Sequence, residues 1–145
     1  MTIGYLYGPF HQSLLNGEIN VVSHTLKGVL LTSSYTPNKD THRYQSSLTN
    51  ELSTGSGYTS GGLSLSGKAL AYDSATDTAW LDCDDLLWDP STLTARYCAI
   101  VDTNSGSSST NPLVGLIDFE ANKSSDNGPF KVAVNATGLV RLAAS

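Results

Sequence analysis

The sequence predicts an all-β fold, a sandwich or barrel of about eight strands with one or two short helices. Segments rich in β-branched and apolar residues recur at intervals of roughly a dozen residues, and Gly, Pro, Asn and Ser separate them. Charged residues make up only 14% of the chain, so hydroxyl and amide groups must form much of the polar surface. The length fits one domain, and we expect residues 1–145 to form it, with residues 1–17 as an N-terminal arm and short helix.

The helix near the N-terminus is predicted from its first turn and its end. Pro9 suits the first helical turn, and Gly17 suits the left-handed position that follows a helix. On such a helix, Phe10, Leu14 and Leu15 would share one face.

The aromatic residues around this helix need cover from other parts of the protein. Such an arm either folds back on its own domain or docks on a neighbouring subunit. Because Tyr5, Tyr7, Phe10 and Leu14 crowd into one short terminal segment, we predict that they form a subunit interface.

Most of the remaining chain is predicted as strand, and the nearly continuous apolar run in the second segment indicates a well-buried strand. The predicted strands are Ile19–Val22, Thr25–Thr32, Leu63–Leu65, Lys68–Tyr72, Thr78–Cys83, Thr94–Asp102, Leu113–Phe119, Phe130–Asn135 and Leu139–Ala143. Residues 73–77 fit the loop of a hairpin between the fourth and fifth of these strands. A second short helix is predicted to begin at Thr41, with Asp40 as its N-cap and Tyr44 and Leu48 on one face.

The cysteines indicate a chain that does not depend on disulfides. Cys83 and Cys98 are the two cysteines and make no disulfide framework. The N-terminal sequence lacks a basic segment followed by a continuous apolar run, so we expect no signal peptide and synthesis in the cytoplasm. In that reducing compartment, both cysteines should be free thiols packed as small hydrophobic side chains.

One acidic cluster is a candidate metal site. Hard cations such as calcium bind six to eight oxygen ligands, and closely spaced aspartates can supply several of them. The cluster lacks the glycine and the terminal glutamate of an EF-hand, and the alternative is a solvent-facing strand end followed by a turn. The candidate ligands are Asp82, Asp84, Asp85 and Asp89.

No motif of catalysis is recognisable. His11, His24 and His42 fall in three different predicted elements, and no G-x-S-x-G elbow lies between a strand and a helix. The glycine-rich segment Gly55–Gly67 has no lysine at the P-loop position. We therefore expect no catalytic residue, no cofactor and no enzymatic activity.

The charge of the chain argues against nucleic acid as a partner. The net charge is −5, the pI is about 4.9, and the eight basic residues are scattered. No segment approaches the roughly 18 apolar residues of a membrane span, so we also expect no membrane partner.

The stretch His24–Leu52 combines an apolar strand, a Thr-Ser-Ser-Tyr-Thr-Pro turn and a short polar segment. Together with Gly57–Gly67 and Leu93–Thr103, it resembles a family of small bacteriophage proteins that are encoded among the genes that build the virion. The resemblance implies a structural protein of the virion, in first place an accessory head protein that decorates or cements the outside of the capsid shell. Its partners would be the major capsid protein or other virion subunits, and its own homo-oligomer a trimer that follows the symmetry of the shell.

Two other functions stay open as alternatives. A tail component, such as a tube, tip or fibre subunit, often needs a long exposed hairpin, and only the loops Ser53–Gly62 and Asn104–Asn111 are long enough for one. A carbohydrate-binding module for host recognition needs exposed aromatic faces, and Tyr35 and Tyr58, in predicted turns, are the aromatic residues that we expect to be exposed.

Overall fold

A computed structural model describes residues 3–144, and within them the chain is all-β with one short α-helix, as predicted. The elements in chain order are β1 (Ile3–Leu6), α1 (Gly8–Leu15), β2 (Leu26–Leu31), a 3₁₀ turn (Gln45–Ser47), β3 (Leu63–Ser64), β4 (Ala69–Asp73), β5 (Thr78–Asp82), β6 (Leu86–Ser91), β7 (Thr94–Asp102), β8 (Leu113–Ser124), β9 (Gly128–Val132) and β10 (Val140–Ala143). No helix within these residues is long and apolar enough to cross a membrane.

The strands form a sandwich of one large sheet and two small ones. The large sheet has the antiparallel order β1-β8-β7-β2-β3, and the small sheets have the orders β10-β5-β4 and β6-β9. Leu81 of β5, Trp88 of β6 and Phe130 of β9 share one core cluster with Leu30 of β2 and Ile100 of β7. The two small sheets therefore cover one face of the large sheet.

The large sheet is buried on its other face as well, which explains the continuous apolar run of β2. Leu30 packs in the cluster under the small sheets, whereas Val29 and Leu31 pack in a second cluster with Tyr35 and Tyr97. Because neighbouring residues of a strand point to opposite faces, a strand covered on both sides must be apolar at nearly every position. The prediction of a well-buried strand here is confirmed.

The N-terminal helix has the predicted beginning and end. Pro9 lies in its first turn, and Gly17 follows it with φ of +75°. Phe10 is buried and Leu14 packs against the core, but Leu15 is 90% exposed. The expectation for Leu15 is wrong because so short a helix contacts the sheets along one narrow side only.

Two predicted elements are replaced by turns in which asparagine side chains bind the backbone. Residues 19–22 form no strand, because Asn20 Oδ1 accepts hydrogen bonds from the backbone N–H groups of residues 22 and 23. No helix begins at Thr41; Asn38 Oδ1 accepts the N–H groups of residues 40 and 41, and the 3₁₀ turn begins only at Gln45. Asparagine stabilises turns in this way, and here it outweighs the local strand and helix signals.

The glycine-rich loop 53–62 is held against β2 by a buried tyrosine. The Tyr58 hydroxyl donates a hydrogen bond to Glu51 Oε1 at 2.8 Å and accepts one from the Leu30 N–H at 3.1 Å. Strand β3 pairs with β2 only at Lys27 and Gly28. Further along β2, the Leu30 oxygen accepts the Leu52 N–H, and the Tyr58 hydroxyl takes the place of a strand partner for the Leu30 N–H. This loop is therefore part of the packed domain.

Both cysteines are buried, as expected of small hydrophobic side chains. Cys83 is 7% exposed and Cys98 is fully buried, and both are free thiols. Burial raises the pKa of the Cys83 thiol to about 11 and that of Cys98 to about 12.

Candidate functional site

The aspartates predicted as a metal site do not converge. Asp85 forms an ion pair with Lys131 at 2.9 Å, and the hydrogen bond from that ammonium lowers the pKa of the Asp85 carboxyl. Asp84 accepts a hydrogen bond from the Ser66 hydroxyl. Within residues 3–144, no group of three or more His, Cys, Asp or Glu side chains could hold a metal ion. The candidate metal site is therefore not formed, and Asp84 and Asp85 have separate partners, Ser66 and Lys131. The four aspartates are Asp82, Asp84, Asp85 and Asp89.

The histidines lie apart, and one of them forms a pair that the sequence did not predict. His24 Nδ1 lies 2.7 Å from Asp102 Oδ2, and the Asp102 carboxylate is buried and also accepts the Asn104 N–H. Within the described residues, no hydroxyl or thiol hydrogen-bonds to the His24 ring. The pair therefore lacks the nucleophile that a catalytic triad needs, and it ties the segment before β2 to the end of β7.

A chain of hydrogen bonds connects the N-terminal arm to His42. The Tyr7 hydroxyl lies 2.8 Å from that of Tyr35, which lies 2.8 Å from His42 Nδ1. Burial raises the pKa of both tyrosines and lowers the pKa of His42. Neutral His42 accepts from Tyr35, so Tyr35 can accept from Tyr7 and every hydroxyl hydrogen is used. A protonated ring would have to donate to Tyr35, which would leave one of the two buried hydroxyl hydrogens, that of Tyr7 or that of Tyr35, without an acceptor in this chain of bonds.

The arm folds back on its own domain. β1 pairs with β8, and Tyr7 and Phe10 are 0% and 1% exposed within the chain's own core. The prediction of a subunit interface is therefore wrong for Tyr7 and Phe10. Tyr5 and Leu14 are partly buried against the core clusters, and an interface that includes them stays a prediction.

The aromatic residues expected to be exposed are buried instead. Tyr35 and Tyr58 are each 2% exposed, because their rings pack in the two core clusters, and their hydroxyls take part in the hydrogen bonds described above. Tyr72 of β4, in contrast, is 60% exposed. An aromatic row for stacking on sugar rings is thus not formed by the predicted residues.

The exposed aromatic residue belongs to an apolar edge strand. β4 lies at the edge of its sheet, pairs with β5 on one side, and has exposed side chains from Ala69 to Tyr72. Leu70 is 57% exposed and lies two positions from Tyr72, so the two side chains share a face. We call the unpaired edge of β4, together with these two side chains, the β4 surface.

The side chains of the β4 surface lie on the same face of their sheet as the core residue Leu81. Leu70 lies opposite Leu81, and Tyr72 lies opposite Ala79. Residues opposite each other in an antiparallel pair project to the same face, and Leu81 is buried in the core on that face. Leu70 and Tyr72 therefore lie on the face of β4 that is directed toward the core, but both remain more than half exposed because they lie outside the packed core. Proteins usually protect such an edge with charges, and residues 69–72 carry none.

A cavity beside β1 offers little for catalysis. It has a volume of about 340 Å³ and lies between the β1–β8 edge and the segment that leads into β10. Gly4 and Gly115 leave space on the inner face of the large sheet, and Arg141 is the charged side chain in the lining. The Arg141 guanidinium donates to the backbone oxygen of Thr137. Acid–base chemistry needs paired titratable groups, which this lining does not supply.

Comparisons with protein-family models, with curated proteins and with solved structures found no match to this chain.

Proposed function

We propose that this chain is a non-enzymatic structural protein of a bacteriophage virion and that it decorates or cements the outside of the capsid shell. Its partners would be the major capsid protein and other copies of itself. The proposal combines the resemblance of three segments to small virion proteins with one structural observation, the β4 surface.

The β4 surface supports binding to another protein subunit. Leu70 and Tyr72 are both more than half exposed, on an edge strand whose described backbone makes no hydrogen bond beyond its ladder with β5. An edge of this kind offers backbone donors and acceptors to another strand, and the apolar side chains give the contact area. In an assembly, burial of this surface would contribute to holding neighbouring subunits together.

The loops considered for a tail-tube hairpin are held on the domain itself. In the loop 104–111, the Ser108 oxygen accepts the Ser46 N–H, and Asn111 Nδ2 donates to Gln45 Oε1 at 2.8 Å. Tyr58 holds the glycine-rich loop in the same manner. Neither loop extends toward a neighbour as a strand-forming hairpin, which favours decoration over a tube subunit.

The acidic balance of the chain supports a position away from packaged DNA. The net charge of −5 would repel phosphate, and a virion surface does not require basic residues. The few cations are partly used within the domain: Arg43 pairs with Glu18 at 2.7 Å, and Arg96 pairs with Asp118 at 2.6 Å.

The proposal is tested by locating the chain in purified particles. Cryo-electron microscopy of the virion should show it on the outer face of the head, in a copy number that follows the shell. Particles purified to homogeneity that lack this chain would overturn the virion assignment, and density confined to the tail would overturn decoration.

A variant tests the β4 surface in the same setting. The double substitution Leu70→Ser and Tyr72→Ser should reduce retention on particles, because it removes the exposed apolar side chains and leaves the core unchanged. Leu87→Ser is the matched control, since Leu87 is 49% exposed on β6, away from this edge. Loss of both variants to the same extent, or of neither, would contradict the role of the β4 surface.

A further inference from the structure

We propose that the β4 surface binds a second copy of this chain, with the two β4 strands antiparallel about a two-fold axis at Ala71. The proposal deepens the proposed function, since it names the partner of the β4 surface and rests on that function for its place in the virion. The contact itself is a property of the purified protein and can be measured without particles.

Symmetry restricts how two identical strands can pair edge to edge. A two-fold axis between antiparallel strands runs perpendicular to the sheet, and residues opposite each other must project to the same face. Only registers that pair odd positions with odd, and even with even, satisfy both conditions. The register that overlaps all of Ala69–Asp73 places Ala71 opposite Ala71 of the second copy.

In this register the exposed side chains complement each other. Leu70 lies opposite Tyr72 of the second copy, and the symmetry repeats the contact. Leu70 and Tyr72 are 57% and 60% exposed in the single chain, so both have exposed area to bury against each other. Pairs of an aromatic with an aliphatic side chain are among the favourable cross-strand contacts.

The charges at the ends of β4 are compatible with the same register. Asp73 lies opposite Ala69 of the second copy, and Lys68 lies opposite Ser74. No like charges face each other. Moving the two-fold axis to Tyr72 would place Leu70 opposite Ser74 and lose both Leu70–Tyr72 contacts, and moving it one residue further would bring Asp73 opposite itself, which is unfavourable.

The contact is small, and this decides how it must be measured. Two five-residue strands with four apolar side chains bury much less than the roughly 1,200 Å² of a standard interface. The pairing should therefore be weak between free chains and become effective at the high local concentration of an assembly. A two-fold contact also closes after two copies, so the expected trimer would need a different surface.

A register-specific disulfide traps the weak contact. In the Ala71→Cys variant, the two introduced cysteines lie directly opposite, at a Cα separation of about 4.5–5.5 Å that suits a disulfide. Ala69→Cys is the matched control, because Ala69 is exposed on the same strand and the same face. In the proposed register the two cysteines at position 69 lie four residues apart along the strands, about 13 Å, which no disulfide spans. Native Cys83 and Cys98 are buried in both variants.

The experiment follows dimer formation under mild oxidation on a non-reducing gel, after circular dichroism has verified that both variants are folded. We expect Ala71→Cys to form the dimer at least about tenfold faster than Ala69→Cys. Adding Leu70→Ser to Ala71→Cys should slow it several-fold. Equal rates for the two cysteine variants would indicate random collision and would overturn the proposal, and so would the absence of a disulfide-linked dimer of Ala71→Cys. Neither result depends on whether the chain is found in particles, so the two proposals fail separately.

Discussion

Removal of one buried hydroxyl should measure how strongly the glycine-rich loop is held. In Tyr58→Phe the aromatic ring keeps its place in the core, where it packs against Trp88 with ring centroids 6.1 Å apart. The substitution removes the acceptor for the Leu30 N–H and the donor to Glu51 Oε1. Because Tyr58 is only 2% exposed, water cannot easily replace either bond.

The expected loss of stability follows from these two bonds. A buried N–H left without a partner costs about 1–3 kcal/mol, and a lost hydrogen bond to a charged group costs about 1.5–3 kcal/mol. Glu51 is partly exposed and still accepts the Gly61 N–H at 2.6 Å, so its contribution lies at the lower end. We therefore expect the free energy of unfolding to fall by about 3 kcal/mol. For a domain of this size, that corresponds to a melting temperature lower by about 9 °C.

Urea denaturation at pH 7, followed by circular dichroism and by tryptophan fluorescence, measures this loss. Tyr72→Phe is the matched control, because the Tyr72 hydroxyl donates to Asp77 at 3.0 Å on the surface. The control should cost less than about 0.5 kcal/mol. If Tyr58→Phe is no more destabilising than the control, the hydroxyl does not replace a strand for β2 and the reasoning is refuted.

Three further predictions follow from the same contacts. Burial holds the pKa of His42 below 6.5, so the contribution of His42 to stability is complete above pH 6.5 and is lost as the pH falls through its folded-state pKa. Between pH 7.5 and pH 5, the urea midpoint should therefore fall more for the wild type than for His42→Gln, and parallel curves would contradict this. Gly62→Ala should lower the free energy of unfolding by more than about 2 kcal/mol, and Gly61→Ala by only about 1 kcal/mol. Both glycines have positive φ, but only a Cβ at Gly62 would lie 2.3 Å from a backbone oxygen of β2, and equal melting temperatures of the two variants would argue against this clash. Cys83 and Cys98 should resist alkylation in the folded protein, and both should react in denaturant without reductant. Intact mass measures the labelling, and failure of both to react in denaturant would indicate a disulfide.

The strands with strong local patterns could be predicted from the sequence. The predicted bounds of β7 are those of the structure, and β2 differs from its prediction by one residue at each end. The hairpin of β4 and β5 was also predicted, with Asp73 and Thr78 pairing at its loop end. In these segments the apolar pattern, the β-branched residues and the turn residues all agree, so local preference and tertiary structure coincide.

The elements that failed depend on distant contacts. The sequence does not predict β1, a four-residue edge strand that pairs with β8, or β6, which contains Pro90 and has an irregular register with β9 between Trp88 and Ser91. The predicted strand at 19–22 was lost to the Asn20 turn. Local preference is weak in such short segments, and hydrogen-bond partners elsewhere in the chain determine their conformation.

The sequence by itself determined the all-β class, the main strands, the helix and the acidic, weakly charged surface, because these depend on composition and on local periodicity. Only the tertiary structure decided that Tyr58 is buried, that His24 meets Asp102, and that Leu70 and Tyr72 lie uncovered at an edge. An alternating pattern shows that the side chains of a strand point to two faces, but it does not show which face is covered. Coverage depends on strand order, and strand order is set by pairing between residues far apart in the chain.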